Sequence, residues 1–186
     1  MADNDDMRAD ARKNRDRILK AARKALAADP GASLNSVAKS AGVGAGTFYR
    51  HFPDREALVL AVYREEIDDL AASASTLLRR HPPVEAFRRW CDRLIAFGTM
   101  KSGLIDVLDA AKSAHGLPDA YEPLLGAVEE LMAACEASGD FVPGANAEDF
   151  LLLLGFVWRL LAGPSGHARA KRVLALLFRG LSRSSP

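Results

Sequence analysis

The sequence is poor in the residues that build metal sites, redox sites and many catalytic sites. Its 186 residues include 2 cysteines and 4 histidines. Cys91 and Cys135 fit no metal-ligand or redox spacing, which indicates two free thiols in a reducing cytoplasm. The histidines are scattered through the chain: His51, His81, His115 and His167. No HExxH, GxSxG or glycine-rich phosphate-loop motif occurs, so an enzyme is disfavoured and neither a metal nor a cofactor is expected.

Long apolar segments are also missing. No run approaches the ~18 consecutive apolar residues of a membrane span, so no membrane partner is expected. The first residues, MADNDDMRADARKNRDR, are acidic and then basic, and they lack the apolar centre of a signal peptide. These features favour a cytoplasmic protein.

Charge is nearly balanced over the whole chain but is distributed unevenly. The net charge of +1 disfavours a general polyanion binder, while 49% apolar residues are enough for a folded core. Between Arg8 and Arg55, eleven Lys or Arg residues face four Asp or Glu residues, a local balance of +7. Such asymmetry indicates a nucleic-acid-binding end and a neutral or acidic partner end, with a merely solvated basic helix face as the alternative.

The segment Ser33–Arg55 contains two short helical patterns joined by a glycine turn. Ser33 is placed to cap the first helix, and Gly42 is placed to end it in a left-handed conformation. A second helix is predicted from Gly44 to His51, with Phe48 pointing inward. Such a unit is typical of a helix-turn-helix, whose second helix enters the DNA major groove. The first helix carries its apolar stripe at i, i+3, i+4 and i+7: Leu34, Val37, Ala38 and Ala41.

Helical patterns continue to the end of the chain, and no strand alternation or fixed-period repeat is found. The predicted fold is therefore all-α with about nine helices. Residues 1–10 are polar and are predicted to be a disordered tail. The predicted helices cover 12–28, 34–41, 44–51, 54–80, 84–98, 102–113, 117–138, 146–162 and 167–181. Asp54 and Asn146 are the predicted N-caps of the helices that they begin.

The segment GVGAGTFYRHFPDREALVLAVY resembles the start of a TetR-family transcriptional regulator. The matching positions are Ala41-Gly42-Val43, Tyr49-Arg50-His51-Phe52 and Asp54-Arg55-Glu56-Ala57-Leu58. The resemblance covers about residues 12–60, and beyond them it is one of architecture only. It implies a helix-turn-helix DNA-binding domain at 11–58, with the motif at 33–52, and a C-terminal ligand-binding and dimerisation domain at 59–186.

The resemblance also implies which residues meet DNA. Phosphate contacts position such a protein, and a few side chains read base edges. Arg50 is the candidate for a bidentate contact to guanine, and Arg55, at a helix start, is the candidate phosphate anchor. Gly44 stands where a capping residue is common in this family. The predicted DNA-binding residues are Ser33, Asn35, Ala45, Gly46, Thr47, Tyr49, Arg50, His51 and Arg55.

The C-terminal part is predicted to dimerise and to bind a small molecule. Helices 146–162 and 167–181 are too apolar to be covered by the monomer alone, so a two-fold four-helix interface is expected. The resemblance implies an effector pocket, although core packing explains many of the same side chains. The candidate pocket residues are Phe87, Trp90, Phe97, Met100, Asp109, His115, Tyr121, Met132 and Trp158.

The function expected from these observations is a dimeric repressor that a small molecule releases from a palindromic operator in double-stranded DNA. A helical protein-interaction adaptor without sequence-specific DNA binding is the alternative. The salt dependence of binding separates the two, because contacts to phosphate weaken steeply as salt rises.

Overall fold

The computed structural model describes residues 2–102, 121–159 and 165–183, and the side chains of residues 8–98, 122–157 and 165–183. Within these ranges every regular element is a helix, which agrees with the predicted all-α class. Of the predicted helix at 102–113, residues 103–113 lie outside the described residues, and Ser102 ends the helix before it. The helices are α1 (Ala2–Ala28), α2 (Leu34–Ala41), α3 (Ala45–His51), α4 (Arg55–Leu78), α5 (Pro83–Ser102), α6 (Tyr121–Ala137), α7 (Ala147–Arg159) and α8 (Gly166–Leu181).

The prediction of a disordered tail at residues 1–10 differs from the structure, in which α1 begins at Ala2. The physical reason is that no Gly or Pro precedes Pro30, so nothing in the chain stops a helix from extending toward the N-terminus. Acidic residues at the start also suit the positive end of the helix dipole. Further along, the Lys13 ammonium lies 4.0 Å from the Asp10 carboxylate, one turn away.

The chain divides into two compact units, and α4 contributes residues to both. The first unit, described over residues 2–65, packs α1 to α3 and the start of α4 around one apolar core. Phe48, which is predicted to point inward, is fully buried there, and Phe52 is buried beside it. The helices around them contribute aliphatic side chains: Ile18, Leu19, Ala22, Leu26, Val37, Ala41, Leu58, Val59 and Val62.

The second unit is centred on an aromatic cluster contributed by α5, α7, α8 and the loop after α6. The Phe87 ring lies at its middle, with centroid distances of 5.0 Å to Phe150 and 5.2 Å to Phe178. Phe141 is 6.1 Å from Phe87 and 5.8 Å from Phe178. Burying each such ring contributes about 1.5–3 kcal/mol to the free energy of folding, so this cluster is an important source of the unit's stability.

Two backbone hydrogen bonds join the loop after α6 to the end of α8. The N–H of Val142 donates to the carbonyl of Leu181 at 2.8 Å, and the N–H of Arg183 donates to the carbonyl of Asp140 at 3.0 Å. They hold Phe141 against the aromatic cluster. None of the helices in the described ranges combines the length and the apolar character needed to cross a membrane.

Candidate nucleic-acid interface

Helix α2 is defined at its start by the side chain that the sequence predicts. The Ser33 hydroxyl oxygen accepts a hydrogen bond from the backbone N–H of Ser36 at 3.2 Å. The Ser36 hydroxyl donates back to the Ser33 carbonyl at 2.7 Å. This reciprocal pair satisfies a free donor of the first turn and fixes where the helix begins.

The turn between α2 and α3 depends on Gly42. Its φ of 66° and ψ of 37° place it in the left-handed region, which only glycine adopts at little cost. The N–H of Val43 donates to the Ala38 carbonyl at 3.2 Å and that of Gly42 to the Lys39 carbonyl at 3.1 Å, the pattern of a Schellman cap. The turn thus aims α3 away from α2 with its backbone groups satisfied.

Helix α3 presents a polar and largely small-residue face to solvent while two phenylalanines hold it to the core. Phe48 and Phe52 are buried, whereas Ala45, Gly46 and Arg50 are exposed. A Cβ atom added at Gly44 or at Gly46 would meet no other atom within 4 Å. Ala45 and Gly46, which are predicted to lie nearest the base edges, are therefore open to solvent at the start of α3.

A side-chain hydrogen bond ties α3 to α2. The Tyr49 hydroxyl donates to the Asn35 Oδ1 atom at 3.3 Å, across a sequence separation of 14 residues. The Tyr49 ring remains 43% exposed and packs edge-on against Phe48, with centroids 5.5 Å apart. Two residues that the sequence predicts as separate DNA contacts thus form one surface, and each fixes the orientation of the other.

Arg55, which is predicted as a phosphate anchor, makes two hydrogen bonds to loop carbonyls of its own unit. Its Nη1 donates to the Ala32 carbonyl at 2.6 Å, and its Nη2 donates to the Pro30 carbonyl. The guanidinium therefore braces the loop before α2 against the start of α4. Asp54 caps that helix as predicted, since its Oδ1 accepts from the Ala57 N–H at 2.7 Å.

A basic groove, which the sequence analysis missed, runs between α1 and α2. It encloses about 620 Å³ and is lined by Arg17, Lys20 and Lys24 together with small residues of both helices. Arg17 also donates from Nη2 to the Gly42 carbonyl at 3.4 Å, so it reaches the helix-turn-helix turn. The signal was present in the i, i+3, i+7 spacing of the three cations, which places them on one helix face.

Two family models match the chain. The model for bacterial regulatory proteins of the tetR family covers residues 18–62, and the model for the C-terminal domain of SbtR-like transcriptional regulators covers residues 82–183. The chain belongs to the TetR family. The first match contains the whole of α2 and α3 and the turn between them.

Individual TetR-family relatives agree with this assignment. The TetR transcriptional regulator SCO0520 from Streptomyces coelicolor superposes with a TM-score of 0.80 at 37% identity, covering 92% of this chain and 99% of that one. A TetR transcription regulatory protein from Mycobacterium vanbaalenii gives a TM-score of 0.73 at 30% identity, with 95% and 99% covered.

A curated relative matches over a shorter length. An HTH-type transcriptional regulator of Staphylococcus aureus strain USA300 is 30% identical over 110 residues, which are 58% of this chain. The chain spans 60% of the length of that relative.

The remaining predicted DNA-binding residues of this TetR-family chain lie on the same unit. Ser33 is exposed, while Thr47 and His51 are half-buried on α3. The Arg15 guanidinium lies 5.3 Å from the Phe52 ring centroid, so α1 also packs against the end of α3. This cation–π contact was not foreseen, because it joins residues far apart in the sequence.

The candidate effector residues are only partly described. Phe87, Trp90 and Met132 are buried in the core of the second unit, and the Trp90 Nε1–H donates to the Leu70 carbonyl at 2.8 Å. Phe97 lines a cavity of about 320 Å³ beside Leu70 and Arg93. The predictions for the side chains of Met100, Asp109, His115, Tyr121 and Trp158 lie outside the described residues.

Both cysteines are buried free thiols in the second unit. Burial raises the pKa of Cys135 to about 12 and raises the pKa of Cys91 further still. Both thiols are therefore protonated and unreactive near neutral pH. Within the described part of the chain, no group of three or more His, Cys, Asp or Glu side chains is arranged to hold a metal ion.

Proposed function

We propose that the protein is a homodimeric transcriptional repressor that binds a palindromic operator through α3 and is released by a small-molecule effector. The observation that carries the proposal is the solvent-facing surface of α3, held in place by the Ser33 cap, the Gly42 turn and the Tyr49–Asn35 hydrogen bond. Its membership of the TetR family supports the same interpretation.

On DNA, the exposed residues of α3 divide into two roles. Arg50 has the planar fork that pairs with the O6 and N7 atoms of guanine. Ala45 and Thr47 offer methyl groups suited to thymine. The Tyr49 hydroxyl donates to Asn35 Oδ1 and so orients the Asn35 amide, whose Nδ2 donors suit a phosphate. Ser33 and Asn35, at the start of α2, are placed for the DNA backbone on the same side as Tyr49.

Dimerisation is supported by exposed apolar side chains on α7 and α8. Phe156 is 65% exposed, Leu152 is 59% exposed and Leu176 is 58% exposed. Leu152 and Phe156 lie one turn apart on α7, opposite the buried Leu154 and Val157. Water contact with such a face is unfavourable, and a second copy of the same surface would cover it.

The interface energy can be estimated from Phe156. Burying a whole phenylalanine contributes about 1.5–3 kcal/mol, and a two-fold interface contains the residue twice, so the exposed 65% is worth about 2–4 kcal/mol per dimer. Phe156→Ala should therefore weaken the dimer about 30- to 700-fold. Sedimentation velocity on a dilution series measures the change. Phe156→Leu is the matched control, because it keeps an apolar side chain and should stay close to wild type.

Effector control follows from the need for two correctly spaced recognition helices. Successive half-sites lie roughly 34–36 Å apart on one face of DNA, so a conformer with another spacing loses affinity. An effector acts by binding that conformer better than the DNA-bound one. The cavity beside Phe97 lies within the second unit and is in the lower size range of small-molecule pockets, roughly 300–1,000 Å³.

The decisive experiment measures binding to DNA from upstream of the protein's own gene by fluorescence anisotropy, over a range of salt concentrations. A repressor gives a steep fall of log K with log salt and prefers this DNA to a scrambled sequence. A salt slope near zero would favour the adaptor function instead. Arg50→Ala should reduce the preference between the two DNAs by about 1–3 kcal/mol, roughly 5- to 150-fold. Arg183→Ala, an equal loss of charge in the second unit, should leave it unchanged.

A further inference from the structure

A second charged cleft lies where α4 ends and α5 begins. It encloses about 370 Å³ and lies wholly within the second unit. Its size reaches the range of small-molecule sites, roughly 300–1,000 Å³. Its lining residues are Thr76, Leu77, Arg80, His81, Arg89, Asp92 and Arg93.

Cationic groups dominate this cleft. Among the described residues that line it, three guanidinium groups and one imidazole face one carboxylate, that of Asp92. The concentration is unusual for this part of the chain, because residues 56–186 carry 14 Lys or Arg against 17 Asp or Glu. Residues 79–93 alone hold five arginines against two acidic residues. The positive charge is therefore local and is not a general property of the C-terminal part.

The nearby carboxylates are already engaged by other cations. Asp92 Oδ1 lies 3.8 Å from the Lys171 ammonium on α8. Glu85 Oε1 accepts from Arg89 Nε at 2.9 Å and Nη2 at 2.7 Å, and it lies 3.6 Å from His81 Nδ1. The hydrogen bond from Arg89 holds the pKa of Glu85 below its ordinary value, so this carboxylate stays charged and orients the Arg89 guanidinium and the His81 imidazole.

Several donors remain for a ligand. Within the side chains that the structure describes, no hydrogen bond or ion pair joins the guanidinium groups of Arg80 and Arg93 to another residue. Arg89 keeps its Nη1 donors, since only Nε and Nη2 are used by Glu85. The Thr76 hydroxyl accepts from Arg79 Nη2 at 3.0 Å, which leaves its own hydrogen to donate.

We propose that this cleft binds the phosphate group of a small molecule. Three arginine forks suit an anion with several oxygens and more than one negative charge, whereas a single carboxylate would use only one fork. Arg80, Arg89 and Arg93 supply the charge-assisted donors, and Thr76 supplies a neutral one. Bringing like charges together is unfavourable without such an anion, so binding it should also stabilise the fold.

Thermal unfolding of the full chain in inorganic phosphate, pyrophosphate or AMP tests the proposal, with sodium chloride added to equal ionic strength. The wild type should show a saturable rise in the unfolding midpoint with at least one phosphate compound. The double variant R80A/R89A should bind that compound at least tenfold more weakly. The control R64A/R183A loses two exposed arginines elsewhere and should bind as the wild type does.

The three compounds distinguish the source of the phosphate. Tighter binding of AMP than of inorganic phosphate identifies a phosphorylated metabolite, and equal binding identifies the free ion. The proposal is overturned if no compound produces a saturable shift, or if R64A/R183A loses as much affinity as R80A/R89A. Because the assay contains no DNA, its result is independent of operator binding.

Discussion

Gly42, in the α2–α3 turn, and Gly46, the second residue of α3, should respond to alanine in opposite directions. Gly42 has a φ of 66°, and a Cβ added there would lie 2.8 Å from Arg17 Nη2. Gly46 lies inside α3, and a Cβ added there meets nothing within 4 Å. The two substitutions add the same methyl group four residues apart, so each is the control of the other.

The expected magnitudes follow from the backbone conformations. Holding alanine in the left-handed region costs about 1–2 kcal/mol, while the Arg17 side chain can swing aside at small further cost. Replacing a glycine in the middle of a helix by alanine gains about 0.5–1 kcal/mol, and the gain at Gly46, in the first turn of α3, should lie at the lower end of this range. Gly42→Ala should therefore lower the free energy of unfolding by about 1–2 kcal/mol, and Gly46→Ala should raise it by about 0.5 kcal/mol.

Denaturant unfolding of both variants at one protein concentration measures the difference, because the stability of a dimer depends on concentration. In the same two variants, operator affinity should not follow the free energy of unfolding. Gly46→Ala places a methyl on the face predicted to meet bases and should weaken operator binding despite the more stable fold. An unfolding free energy for Gly42→Ala equal to or above that of the wild type would refute the account of the turn.

Three further outcomes are expected. Arg55→Ala should lower the free energy of unfolding by about 1–2 kcal/mol in thermal denaturation, because the loop carbonyls lose charge-assisted hydrogen bonds. An unchanged stability together with weaker DNA binding would instead favour a phosphate contact for Arg55. Tyr49→Phe removes one exposed hydrogen bond and should cost only about 0.5 kcal/mol in denaturant unfolding, while operator affinity falls measurably. Cys91 and Cys135 should resist maleimide at pH 8 in the native protein and react once it is unfolded, because burial raises the pKa of both thiols. Rapid labelling of the native protein would contradict their burial.

Local sequence signals predicted much of the DNA-binding unit correctly. The capping roles of Ser33 and Asp54, the glycine turn and the buried Phe48 all depend on residues within one or two helical turns of each other. In the second unit, the predicted cap Asn146 likewise accepts from the Asp149 N–H at 3.1 Å. Such signals are readable from one sequence because the partner lies only a few residues away.

The features that could not be predicted join residues far apart in the chain. Arg55 binds carbonyls 23 and 25 residues earlier, and Arg17 reaches a carbonyl 25 residues later. A long, flexible arginine side chain has many possible partners, and the periodicity of the sequence does not indicate which of them it binds. The hydrogen bonds of Arg55 to the loop carbonyls could therefore be recognised only in the folded structure. Its charge and its position in the sequence alone favour a phosphate contact.

Helix α3, the predicted recognition helix, depends on the rest of its unit for its stability more than on its own sequence. It has 7 residues, and its N-cap Gly44 makes no side-chain cap. Isolated helices shorter than ~12–15 residues are marginal in water, so α3 depends on tertiary contacts. Phe48 and Phe52 anchor its inner side, and the Tyr49 hydroxyl bond to Asn35 fixes its rotation.

This dependence leaves the outer face of α3 free to carry small residues that contribute little to folding. With Ala45 and Gly46 at the predicted base-facing start, few side-chain donors and acceptors are available to read sequence directly. We therefore expect Thr47 and Arg50 to carry most of the direct readout, and close approach of the backbone should make the shape of the groove matter more. Operator positions that touch no side chain should therefore influence affinity through DNA deformability, and half-site spacing should matter as much as half-site sequence.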